Sequence, residues 1–466
     1  MLTSAAHSRE IDEGIARLRL ELGIPERFPA EVLAAATRAR HLAVGSEHVD
    51  RTDLPFITLD PARSTDLDQA FCIETSGADL VLRYAIADVG WFVQSGDPLD
   101  REAWQRGTTM YAPDGKTPLY PPELSEGAAS LLPDGPRPAV VFIVRLDDTG
   151  TPRLDGVERA MVHSRAKLGY ETVTAADLPV ELAEFARRMA VGDAHRGAAR
   201  VEPPEQEVVR ADGGYRMAYR PKAAVEAHNA SLSLATNLAV AAALYEARTG
   251  LYRVLDAPDE RRIRRLRHTA RALRIDWPRS SSLADVERML HADEPRHAAF
   301  MLAIRRAGGA ARYVPYQEGV VPWHAAMAAT YVHATAPLRR LADRAVVLAA
   351  LAVANGRPVP DDVQEAFAAL PAVMERADAT GNRLDRTVLD LVEAVVLQER
   401  VGEVFDAVVT DLDERGARIQ LCDVAVVARV ATDGVEPGDT LQVRLVETSP
   451  ERRLVRFERV SPARAG

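Results

Sequence analysis

The stretch ITLDPARSTDLDQAF, residues 57–71, decides the reading of this chain. The apolar run from Phe56 to Leu59 reads as a short strand, and three carboxylates follow: Asp60 at its end, then Asp66 and Asp68. Residues two apart in an extended segment point the same way, so Asp66 and Asp68 share a face. Clustered carboxylates repel one another unless a cation neutralises them, and hard cations such as Mg²⁺ take oxygen ligands. Two such ions about 4 Å apart can activate a water and stabilise a leaving oxygen in phosphodiester cleavage. Two plainer readings compete. One is a polar turn. The other is a calcium loop, which here lacks the required glycine and the twelfth-position glutamate.

Outward from this block the texture is β-rich. DQAFCIE, LVLRYAIADV and PAVVFIVRLDD are short strand-like runs broken by polar turns. Beyond about residue 160 the chain turns helical, with AAVEAHNASLSLATNLAVAAALYEA and APLRRLADRAVVLAALAVA long, Ala-rich and periodic. Strands first and helices later over residues 51–400 predict an α+β domain, a mixed sheet with helices in segregated layers. Residues 1–50 read as two helices. Ser8 caps the first and Pro29 opens the second. They form either a helix-turn-helix-like unit or a helical arm packed on the main domain. From Val401 about five short strands, separated by turn signals, predict a C-terminal OB-fold β-barrel over residues 401–466.

Two further segments carry candidate chemistry. In YVHATAPLRRLADR, Thr335 is a candidate N-cap, Pro337 sits early in a helix, and Arg339 and Arg340 fall in or near its first turn. A helix N-terminus with guanidinium groups suits a phosphate. The competing reading is an exposed arginine pair, one member bridging to Asp343. The long loop RGTTMYAPDGKTPLYPPELSEGAASLLPDG carries Tyr111 and Tyr120. Such rings either stack unpaired bases or anchor the loop by packing.

Composition bounds the function. A chain of 466 residues needs more than one core. Its net charge of −10 weighs against a nucleic-acid partner. The total hides asymmetry, since Arg248 to Arg312 holds fifteen arginines against eight acids. The helix DERRIRRLRHTARALR within it reads as a solvated face. Of 58 basic residues three are lysine: Lys116, Lys167 and Lys222. No apolar run approaches the roughly 20 residues of a membrane span, and the N-terminus lacks a secretory layout. Cys72 and Cys422 form neither a metal motif nor a disulfide framework, so a cytoplasmic setting is expected.

Together these blocks resemble the catalytic region of the ribonuclease II / ribonuclease R (RNB) family, from about Leu22 to Val460. The acidic block follows the family order, and HATAPLRRLAD resembles its arginine signature. AIADVGWFVQSGDPLDREAWQRGTTMYAPDG, PPELSEGAASLLPDGPRP and QERVGEVFDAVV resemble further family blocks in the same order. The resemblance implies a 3′-to-5′ exoribonuclease that hydrolyses single-stranded RNA to nucleoside 5′-monophosphates with Mg²⁺, or Mn²⁺ as an alternative. It implies Asp60, Asp66, Asp68 and Gln69 as metal ligands, with Asp68 and Arg339 catalytic. It places Tyr111, Tyr170, Arg340 and Glu375 against the RNA, and it makes Glu226 the nearest match to a further family glutamate. The protein is expected to act as a monomer, with structured RNA as a further substrate.

The chain departs from the family pattern in several places. Gln69 stands where the family has a fourth Asp, and Ala336 and Leu341 replace a Ser and a Tyr. No second stacking aromatic lies between Arg196 and Tyr215. The roughly 50 residues before the catalytic region leave no room for two cold-shock domains, which implies an atypical form without them. Two rival readings remain: a non-catalytic RNA-binding member of the family, and a phosphodiesterase acting on small nucleotides.

Overall fold

β-Branched and aromatic side chains fit a pleated, buried surface, and the run Val140–Val144 (VVFIV) supplies them to the middle of the central sheet. The computed structural model describes residues 5–460 apart from 200, 202, 204, 212–213, 221–222, 293, 414–415 and 433. The sheet has five strands, in the order Val49–Arg51, Pro152–Val162, Arg137–Leu146, Asp79–Ala87 and Gln69–Ser76. Its first pair is parallel, with Val49 opposite Ala160, and the rest are antiparallel. Strand Asp79–Ala87 is buried on both faces, with Leu82, Tyr84 and Ile86 on one and Val81, Ala85 and Ala87 on the other.

Helix Ala224–Glu246 packs on this sheet, joined by Leu341–Ala354. Both are buried over most of their circumference, which is why they read as Ala-rich and apolar rather than amphipathic. The result is the α+β architecture expected from the order of strands and helices. A separate parallel pair, Thr58–Asp60 with Lys167–Gly169, ends the segment that carries the acidic block.

Residues after Val404 form a second sheet, in the order Val427–Val430, Gly416–Leu421, Val404–Asp413, Thr440–Ser449 and Leu454–Arg459. Its outer strands approach one another, closing the sheet towards a barrel of the OB kind. The barrel has its own core of Phe405, Ile419, Val443, Leu445 and Phe457. Residues 461–466 of the expected barrel segment lie outside the described residues.

The N-terminal helices run Ala5–Glu21 and Ala30–Ala39. Ser8 is buried inside the first helix and does not cap it, whereas Pro29 directly precedes the second as expected. Ile11, Ile15 and Leu18 pack against Leu384, Leu391 and Val392 of the long helix Asp361–Val396. Val32, Ala35 and Ala36 belong to the main core instead, beside helix Pro98–Arg106. The two helices thus bury their apolar faces in different cores.

The long helix also meets the barrel. Near its end, Glu393 accepts hydrogen bonds from Gln206 Nε2 (2.7 Å) and from the backbone N–H of Val427 (3.2 Å). Burial pushes its carboxyl up to about 7, and these two donors oppose that only in part. The folded protein therefore holds a proton that the unfolded chain releases at lower pH. This stabilisation is full below the ordinary glutamate range and is lost as pH rises towards about 7. Glu393→Gln should match the parent in stability at pH 5 and exceed it at pH 8, by on the order of 2–3 kcal/mol. Urea denaturation at both pH values checks this; an equal difference at both would refute it.

Candidate active site

The parallel pairing of Thr58–Asp60 with Lys167–Gly169 places Asp60 beside Tyr170, whose backbone N–H donates to the Asp60 carbonyl (3.0 Å). Asp68 immediately precedes the first residue of strand Gln69–Ser76, and its carbonyl accepts from Ala87 N (2.9 Å). Leu67, between the acids, is buried and tied to Ser130 through its N–H (2.9 Å) and its carbonyl, which Leu131 N donates to (3.0 Å). The acidic block is thus held by backbone contacts on both sides.

The arginine segment is held just as firmly. Helix Leu341–Ala354 begins after Arg340, later than the Thr335 cap predicts. The physical reason is Asp343, which reaches back to accept from Ala336 N (2.8 Å) and fixes residues 336–340 as a turn. Thr335 is buried, and its carbonyl accepts from Gln69. The Arg339 carbonyl accepts from Thr108 Oγ1 (2.6 Å) and Thr109 N (2.9 Å), while Leu341 N donates to Gly107 O (3.0 Å). Gly107 has φ +70°, and a Cβ there would lie 2.7 Å from the Ala377 Cβ, so both conformation and space require glycine.

These two segments meet. Leu338 N donates to Asp68 Oδ1 (2.7 Å), and Arg339 Nε lies 3.6 Å from Asp68 Oδ2. The Arg339 side chain is 42% exposed and faces a cavity of about 570 Å³ that Asp60, Asp66, Asp68, Tyr111 and Tyr170 also line. The hairpin Met110–Ala112 with Gly115–Thr117 presents Tyr111 at the rim, 49% exposed, with its hydroxyl donating to Asp66 Oδ2 (3.3 Å). Tyr120 is buried and its hydroxyl accepts from Arg344, so it anchors the loop.

Burial raises the Asp60 carboxyl to about 6 and the Asp68 carboxyl to about 8, with Arg339 opposing both. Two desolvated carboxyls that resist ionisation are suited to a dication, which would restore their charge. Among the described residues no three acidic, His or Cys side chains are grouped tightly enough to form a cage. Mg²⁺ does not need one, since it keeps waters and binds through one or two carboxylates plus substrate phosphates. Asp60 and Asp68 fit that pattern.

Gln69 lines the same cavity, whereas Arg340 and Glu375 do not. The Gln69 amide is already engaged: Nε2 donates to Thr335 O (2.6 Å), and Oε1 accepts from Tyr84 (2.5 Å) and Ser233 (3.4 Å). Its oxygen is thereby tied to the Tyr84 hydroxyl, which a metal would have to displace or share. Arg340 spends its guanidinium on Asp343, with Nε at 2.9 Å and Nη2 at 2.8 Å, and so stabilises the turn rather than meeting RNA. Glu375 is exposed and outside the cavity. The acids of its helix that do line a groove, of about 320 Å³ beside Tyr111, are Asp378 and Asp385.

Sequence reasoning overlooked Asn229, Ser233, Tyr331 and Lys116. Glu226, Asn229 and Ser233 recur at helical spacing along one face of an otherwise apolar helix, a signal that could have found them. Asn229 Nδ2 donates to Leu59 O (3.0 Å) and to the Tyr170 hydroxyl (2.7 Å), orienting Tyr170. Lys116, directly opposite Tyr111 in the hairpin, pairs with Asp66 (2.6 Å) and Glu126 (3.1 Å).

The RNB domain matches residues 48–353, and the C-terminal S1 domain of RNase II-type exonucleases matches residues 403–460. The chain belongs to the RNB family. It is 24% identical to ribonuclease R of Aquifex aeolicus over 96% of this chain, and 25% identical to ribonuclease R of Thermotoga maritima over 87%. It spans 70% and 61% of those proteins' lengths. Among solved structures, Mycoplasma genitalium RNase R in complex with ribose-methylated single-stranded RNA shares the fold, with TM-score 0.85, 19% identity, and 97% of this chain and 78% of that one covered. Yeast Ssd1, a pseudonuclease, shares it with TM-score 0.64 and 18% identity, over 89% of this chain and 54% of its own. In RNB terms the cavity lies where the acidic block and the arginine signature meet.

If Arg340 serves the turn, Arg340→Ala leaves Asp343 buried without its cation and should lower stability by about 3 kcal/mol. Arg339→Ala should change it by less than about 1 kcal/mol, because that side chain makes no hydrogen bond among the described residues. Chemical denaturation of both variants decides the matter; equal losses would overturn the division of roles.

Proposed function

We propose that this RNB protein is a 3′-to-5′ exoribonuclease that hydrolyses single-stranded RNA to nucleoside 5′-monophosphates with Mg²⁺ or Mn²⁺. The observation that carries this reading is the joining of Asp68 and the Arg339 turn at one cavity, through the Leu338 N–H. Asp60 and Asp68 would hold the divalent ion, with Asp66 at their side. Once bound, the ion supplies an activated water and charge neutralisation at the phosphate. Arg339 supplies a preorganised donor to the scissile phosphate, its backbone fixed so that little reorganisation accompanies the reaction. The exposed Tyr111 ring stacks a base at the rim, and Tyr170 is oriented by Asn229 to meet the strand from the opposite wall. The C-terminal barrel holds the RNA upstream. The protein acts as a cytoplasmic monomer. Structured RNA is a further substrate, a reading supported by the solved RNase R complex with double-stranded RNA. No helix among the described residues is long and apolar enough to cross a membrane.

The non-catalytic reading has one observation in its favour, the engaged Gln69 amide. Incubating 5′-labelled and 3′-labelled single-stranded RNA with Mg²⁺ separates the readings. Mononucleotide release from the 3′ label with a shortening 5′-labelled ladder is expected. Binding without cleavage would establish the non-catalytic member, and cleavage confined to dinucleotides the small-nucleotide phosphodiesterase. Asp68→Asn should abolish hydrolysis while RNA still binds. Arg339→Ala should slow single-turnover cleavage by roughly 10²-fold or more, and Arg339→Lys should not restore it fully, because the fork geometry is lost. Near-normal turnover in Asp68→Asn would remove the metal-site assignment.

A further inference from the structure

Clustered carboxylates are tolerated when something neutralises them, and at two of the four acidic-block positions here the protein itself lessens the negative charge. Gln69 carries no charge, and its amide is closed by Thr335, Tyr84 and Ser233. The Tyr84 hydroxyl also lies 2.7 Å from Ser233 Oγ, so this is a connected network inside the sheet–helix interface rather than one chance contact. Asp66 is the second position. Lys116 Nζ sits 2.6 Å from Asp66 Oδ1 and 3.1 Å from Glu126 Oε1, with all three side chains mostly shielded from solvent. Glu126 is in turn held by Thr65 Oγ1 (2.7 Å), one residue before Asp66. The ammonium is therefore built in, gripped by two carboxylates from separate segments and carried on a hairpin strand.

We propose that Lys116 is the resident cation of this site: its ammonium compensates Asp66 where a second divalent ion would otherwise be needed, so that one divalent ion, held by Asp60 and Asp68, completes the centre. The proposal rests on the metal-dependent reading above. Lys116 acts through Asp66 and is a positioning residue. The geometry separates two halves of the acidic block. Asp60 and Asp68 lie near Arg339, and among the described residues no lysine is hydrogen-bonded to either, Lys167 acting on Asp60 only through its charge, while Asp66 is ion-paired to an ammonium it shares with Glu126 and position 69 is uncharged. An ammonium does not polarise a ligand as a dication does, but it does offset the carboxylate charge that would otherwise draw in a second ion.

Counting bound Mn²⁺ by electron paramagnetic resonance on the full chain, without RNA, tests this independently of activity. The parent and Lys116→Arg, which keeps the charge, should each bind one ion per chain. Lys116→Met should gain a second, weaker ion. Lys116→Met with Gln69→Asp should bind that second ion at least ten-fold more tightly than Lys116→Met alone. Gln69→Asp alone keeps Lys116 and serves if the Lys116→Met chains fail to fold: it should still bind one. Two ions on the parent, or two on Gln69→Asp with Lys116 intact, would overturn the proposal, as would a single ion on folded Lys116→Met with Gln69→Asp. No bound ion on any variant would instead remove the metal-dependent reading itself, and with it this inference.

Discussion

The hydrogen bond from Leu338 N–H to Asp68 Oδ1 joins residues 270 apart in sequence, and the site depends on it. Asp68 lies at the start of a strand of the central sheet, and Leu338 lies in a turn leading into a helix that packs over that sheet. A buried carboxylate needs donors, and a turn without helical bonding needs acceptors. Each supplies what the other lacks. The same turn is fastened on its far side by Asp343 and by the Gly107–Thr109 segment, which continues directly into the Tyr111 hairpin. The acidic block, Arg339 and Tyr111 are thereby referred to one rigid frame.

Charge is distributed to match. The pair Arg340–Asp343 is buried and mutually satisfied, so its value lies in fixing the turn. Arg339, one residue earlier, is the exposed member, 3.6 Å from Asp68 and open to the cavity. Adjacent arginines thus have opposite assignments because a single carboxylate, Asp343, lies within reach of one and not the other. Lys116 pairs with both Asp66 and Glu126, while Asp60 and Asp68 remain desolvated and raised.

Polar contacts join the barrel to the body, among them Val427 N–H to Glu393 and Gln206 Nε2 to the Ala425 carbonyl. The Glu393 carboxyl links the long helix, the strand that carries Gln206 and the barrel strand beginning at Val427. The N-terminal helix packs on the same long helix, so this one element gathers the arm, the RNB body and the barrel. The two ends of the described chain are therefore both referred to a helix that lies outside the matched RNB segment.

Much of this was legible in the sequence. Periodicity gave the strands and the buried helices, because a face that is always buried must always be apolar. The acidic block, Arg339 and Tyr111 stood out because short spacing in an extended or looped segment already limits where side chains point. The sequence could not show which polar groups would find each other. Gln69 reads as a ligand from its position, and it becomes a network member only because Tyr84, Ser233 and the Thr335 carbonyl, from three distant segments, converge on it. Arg340 and Glu375 read as RNA contacts until Asp343 claims the first and the helix face turns the second outward. Lys116 carried no local signal at all. Local pattern is set by neighbours along the chain, and it was determined by the sequence alone. The pairing of charges is set by distances across the fold, which fall off too steeply with separation to be inferred from order, and only the tertiary structure decided it.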